Sequence, residues 1–183
     1  MNLVIDGMPD LQSTIIDNRQ AVDAFIAAAR AVRQTAWTTP RAPRKWSPGQ
    51  VTEHVAIAYE VSRAILNGTF SGRAAPRIVR PLIRILALNP VLKTGRFRQG
   101  MKAPAPFLPT ASPASVADLT ARVQAAAGAF EGEIEAAARQ GRTFVDHPFF
   151  GRVTLADYSR LQAIHTRHHA QQLGSGAEHP AAI

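Results

Sequence analysis

The chain of 183 residues contains no cysteine, which excludes disulfides and thiolate metal ligands together. A transition-metal site here must therefore be built from histidine, carboxylate or water. Long apolar runs are missing as well: none approaches the roughly 18 residues that span a bilayer. The amino terminus, MNLVIDGMPDLQ, lacks the basic-then-apolar order of a signal peptide. The expectation is a cytoplasmic protein with no membrane span. Acid is absent from one stretch. Residues 73–102 hold Arg73, Arg77, Arg80, Arg84, Lys93, Arg96, Arg98 and Lys102 with no aspartate or glutamate. The remaining 13 basic groups balance 13 acidic ones, so the net charge of +8 belongs to that segment.

What the chain does have is helical patterning. Its length suits one domain with a real core, covering 1–183 with 174–183 as a frayed tail. Apolar residues at Ile15, Ile16, Val22, Phe25, Ile26, Ala29 and Val32 recur near helical spacing and predict a first helix over 11–37. Pro40 and Pro43 stop it. In SPGQ, Ser47 suits the N-cap, Pro48 the first helical position and Gln50 the residue that reaches back to the cap. The helix that follows carries a stripe of Val51, Val55, Ala58, Val61, Ile65 and Leu66, and Asn67-Gly68 ends it. Residues 76–88 read as a short interrupted helix, and 89–113 as a long proline- and glycine-rich connection. A third long helix begins at Ser112 or Ser115 and stops at Gly141. A turn, DHPFFG, precedes a last helix capped by Thr154, with Asp157 three residues on. No convincing set of strands is found. The fold class is all-α, a four-helix bundle with a long crossover carrying a short extra helix.

Three of the six histidines fall in IHTRHHAQQ. His165 and His169 are one helical turn apart and share a face, which lets two imidazoles approach one metal. Two ligands do not make a site; a catalytic centre of the zinc type has three protein ligands and an open position. His54, at a core-facing phase of the second helix, is the third candidate, although that position taken alone favours a hydrogen-bonded core histidine. His168 points about 100 degrees away from its neighbours, yet could take the place of His169 beside His165. Gln172 lies within reach to hydrogen-bond either a ligand histidine or the substrate. His147 precedes a proline and is therefore extended; it lines the mouth of the site, or with Phe149 and Phe150 plugs the end of the bundle.

Taken together, KWSPGQVTEHVAIAY and, far downstream, HPFFGRVTLADYSRLQAIHTRHHAQQL resemble the DinB/YfiT-like family of metal-binding proteins. The shared features are a tryptophan-serine-proline entry, a histidine seven residues after the serine, and a final-helix His-x-x-x-His. The resemblance implies an up-down-down-up bundle, a homodimer, and a divalent metal held by His54, His165 and His169. For some members it implies a thiol-dependent transferase or isomerase using a low-molecular-weight thiol; for this chain the expected metal is Zn or Ni, and the expected reaction a thiol S-transfer or a hydrolysis on a small-molecule substrate.

Two uses follow for the segment 73–102 and the crossover that continues it. In an enzyme, Phe97, Met101 and Phe107 would cover an apolar pocket, while Arg96, Arg98 and Lys102 hold a carboxylate or phosphate. Glu53 and His147 are candidates for the general acid. In a binding protein, the same cations would engage nucleic acid or another anionic partner, though the segment has few aromatics for stacking and no groove-reading motif.

Overall fold

The computed structural model describes residues 10–98 and 103–174. Met101, Lys102 and all but the first residue of the expected tail lie outside that range. Four long helices dominate: α1 (Leu11–Arg30), α2 (Pro48–Leu66), α5 (Val116–Arg139) and α6 (Leu155–Gly174). Two short ones, α3 (Arg80–Ile83) and α4 (Asn89–Thr94), flank a π turn at Arg84–Leu88 in the connection between α2 and α5. The all-α expectation is borne out.

Local chemistry starts each long helix. The Ser47 hydroxyl accepts from the Gln50 backbone N–H, and the Gln50 side chain accepts from the Ser47 N–H, a reciprocal cap with Pro48 at the first turn. Ser115 caps Asp118, and the Thr154 hydroxyl accepts from the Asp157 N–H. Gly141, at φ 80°, closes α5 in the left-handed conformation open to glycine. Packed this way, α1 lies on α6 and α5, and α2 on α5 and α6. Phe25, Tyr59, Phe130 and Tyr158, one from each long helix, sit fully buried in the shared core.

The structure corrects three expectations. The first helix ends at Arg30 rather than at residue 37. After a turn at Gln34–Ala36, Trp37 is buried and its indole N–H donates to the Ala114 carbonyl at 2.8 Å. Burying an aromatic ring is worth on the order of 2–3 kcal/mol, whereas extending a helix changes tenths of a kcal/mol per residue. Burial wins. Gly49 permits the close approach: a Cβ there would meet Pro113 and the Trp37 ring nitrogen at under 3 Å. Second, part of the long connection is helical, because Asn89–Thr94 forms α4 with Pro90 in its first turn. Third, a small antiparallel hairpin precedes α6, pairing β1 (Phe144–His147) with β2 (Gly151–Thr154). Val145 and Val153 face each other across it, both buried, while the Arg152 guanidinium lies 3.4 Å over the Phe144 ring.

Candidate metal centre

His54 comes from α2 and His165 and His169 from α6, so the packing of these two helices assembles the group. One ring nitrogen from each of the three lies within 4.8 Å of the others, a grouping able to hold a metal ion. The His165 Nε2 atom is 3.2 Å from His54 Nε2 and 3.1 Å from His169 Nε2. A tetrahedral ion with metal–nitrogen bonds near 2.0–2.1 Å sets its ligand nitrogens about 3.3 Å apart. Both contacts suit that spacing.

Hydrogen bonds fix which nitrogens carry protons. The Phe107 carbonyl, 2.6 Å from His54 Nδ1, can only accept, so that Nδ1 is the N–H. Likewise the Gln172 Oε1 atom accepts from His169 Nδ1 at 3.0 Å. Both Nε2 atoms are therefore lone pairs aimed at His165. Without a cation, His165 could donate from Nε2 to one of them and leave the other unmatched. Its Nδ1 is buried and without a partner among the described residues. If that nitrogen carries the proton instead, three lone pairs face one another. A cation among the three Nε2 atoms satisfies all of them and leaves a single mismatch, the His165 Nδ1–H. The donor set fits a metal better than it fits a hydrogen-bonded trio.

Burial keeps the lone pairs free. It pushes the His54 imidazole below its ordinary value, against the pull of the Phe107 carbonyl. His169 is held down to about 3 by burial first and by neighbouring His54 second. His165 falls well below the usual range, again chiefly through burial, with the adjacent histidines adding to it. All three rings are thus neutral at pH 7, as metal ligands must be.

Aromatic residues enclose the group. The Trp46 ring lies 4.7 Å from that of His54, and Phe97 presents its ring edgewise to His165 at 5.5 Å. Phe97 also touches the ring of His168. His168 itself turns aside, its Nε2 accepting from the Gln172 amide at 3.1 Å. Gln172 thus bridges two histidines of α6, one inside the group and one outside it.

Glu53 faces the connection, not the histidines. One carboxylate oxygen accepts from both the backbone N–H and the hydroxyl of Thr110, each at 2.9 Å. It pins the segment whose Phe107 carbonyl orients His54. Sequence reading missed this role, and also the contact of Trp46 with His54; the latter was signalled by the tryptophan's place just before the SPGQ cap. His147 is buried in the hairpin, where its ring stacks 4.4 Å from Phe150 and meets Tyr158 edge-on. Its Nδ1 accepts from the Phe149 N–H, and burial reinforced by Arg80 lowers it to about 3. Arg96 and Arg98 are exposed, and no hydrogen bond or ion pair ties either to the histidines among the described residues.

The sequence profile of the DinB superfamily matches residues 18–173. No curated protein and no solved structure matches the chain.

Proposed function

The chain belongs to the DinB superfamily, and on that footing we propose that His54, His165 and His169 hold a divalent metal, Zn or Ni, in a centre that serves catalysis. The observation that carries this reading is the convergence of three Nε2 atoms with the outer nitrogens of His54 and His169 already committed as donors. Three neutral ligands leave such an ion its full charge, so when bound it supplies Lewis acidity to a thiol, a water or a substrate oxygen. The chain's own residues do the remainder. Phe107 and Gln172 fix the tautomers of two ligands; Trp46 and Phe97 keep the surroundings apolar and limit water. Arg96 and Arg98 are our candidates for holding an anionic substrate group, and His147 for shaping the substrate end. The reaction class is a thiol S-transfer or a hydrolysis, with a low-molecular-weight thiol as co-substrate in the first case.

Protein purified without added metal is expected to carry close to one equivalent of Zn or Ni by elemental analysis. Less than about a fifth of an equivalent, with no uptake on adding either ion, would sink the proposal. A finer outcome concerns Gln172. Its replacement by leucine removes the acceptor that holds His169 Nδ1–H, and loss of such an outer partner typically weakens binding about 10- to 100-fold. Competition against a chromophoric chelator measures this directly, and unchanged affinity would show that Gln172 does not orient the ligand.

A further inference from the structure

The helical stretch 77–94 shows a face that the other described residues leave uncovered. Ile78 is 88% exposed, Leu82 57%, Ile85 59% and Leu86 69%. Their spacing, i, i+4, i+7 and i+8, places them along one side of the stretch, while Leu88 and Val91 pack inward. Side chains exposed to this degree stand proud of the surface as a ridge, ready to enter an apolar medium. The charge that the stretch and its flanks carry along the sequence is basic. Arg73, Arg77, Lys93, Arg96 and Arg98 are exposed and make no ion pair among the described residues. No acidic residue occurs anywhere from 73 to 102.

Two other basic residues work in a different direction. Arg80 reaches Asp146 at 3.4 Å and donates to the Ala75 carbonyl at 3.0 Å, and Arg84 donates to the Arg152 carbonyl. They tie the stretch to the hairpin, which makes it a held platform instead of a loose arm.

We propose that this platform docks the protein on an anionic phospholipid surface. A ridge of aliphatic side chains needs a deformable apolar medium, and its cationic fringe needs a negative layer directly above that medium; a bilayer interface supplies both. The long arginine and lysine stems keep their heads at the phosphate level while the apolar residues enter. A second copy of the chain suits the face poorly. A twofold contact through it would bring arginine close to arginine, and Asp146, the acid that reaches the stretch, is already paired with Arg80. Nucleic acid would match the charge, but it gains nothing from four exposed aliphatic residues and finds no exposed aromatic on the face for stacking.

The test is flotation of the full chain with phosphatidylcholine vesicles, with and without about a third phosphatidylglycerol. Binding should be at least about tenfold stronger on the anionic vesicles at low salt and should weaken as salt screens the fringe. The double variant Leu82→Gln/Leu86→Gln should lose about tenfold or more of it with little change in melting temperature, since both side chains are more than half exposed. Failure of the wild-type chain to float overturns the proposal, and so does equal flotation of the double variant. A wild-type dimer that the double variant splits, without flotation, would reassign the face to self-association. Salt-sensitive retention of RNA that the variant preserves, again without flotation, would reassign the cations to nucleic acid.

Discussion

His165→Ala is expected to lower bound metal from about one equivalent to under about a tenth, because two imidazoles are too few to retain an ion against water. His165 is the choice for this experiment because its Nε2 lies between the other two, within 3.2 Å of each. Its loss leaves His54 and His169 without the atom that both approach. Elemental analysis gives the first readout and thermal stability the second. A ligand that binds only the folded state at a thousand times its dissociation constant adds about 4 kcal/mol. For a chain of this size that raises the melting temperature by roughly 8–16 °C. The wild-type protein should show such a gap between metal-loaded and chelated samples; the variant should show none. His168→Ala is the control, since His168 shares the helix but stands outside the group. Retention of metal by the His165 variant, or equal loss in the control, would overturn the assignment.

Phe130→Ala should produce the largest loss of stability, on the order of 3–5 kcal/mol. Its ring is wholly buried on α5, with Tyr59 of α2 edge-on at 5.7 Å and Tyr158 of α6 edge-on at 5.5 Å. One side chain therefore keys three helices. Both tyrosines are held in place at their far ends, Tyr59 by Asn18 and Thr166 and Tyr158 by the Ser62 carbonyl. Neither ring can swing into the vacated volume without breaking those bonds, so the cavity should persist and its cost should lie toward the upper end. At about 2–4 °C per kcal/mol the melting temperature should fall by roughly 6–20 °C. Measured in the cold, where the variant remains folded, metal content should match wild type, because Phe130 touches none of the three histidines. A drop of less than about 1 kcal/mol would mean that the core repacks around the gap.

Much of this protein is written locally. Ser47, Pro48 and Gln50 announce α2, Ser115 announces α5, Thr154 announces α6, and the glycines at 68 and 141 mark two ends, because caps and stops act over three or four residues. The pairing of His165 with His169 is equally local, one turn of one helix. The hairpin escaped notice because its alternation covers only four residues per strand, with Val145 and Val153 as its sole buried pair of valines. A pattern that short does not separate strand from turn. The end of α1 escaped for another reason: the helical spacing runs on past Arg30, and only the distant Ala114 carbonyl and Pro113 explain why Trp37 leaves it.

The sequence by itself determined the helices, their caps and the turn-spaced histidine pair, all consequences of forces between near neighbours along the chain. Tertiary structure alone decided that His54, 111 residues away from His165, faces it at 3.2 Å. It also decided that His168 stays outside, and that the Phe107 carbonyl holds the proton on the outer nitrogen of His54. Those outcomes depend on how α2 packs on α6 and where the connection between α2 and α5 returns, and no short stretch of residues carries that information.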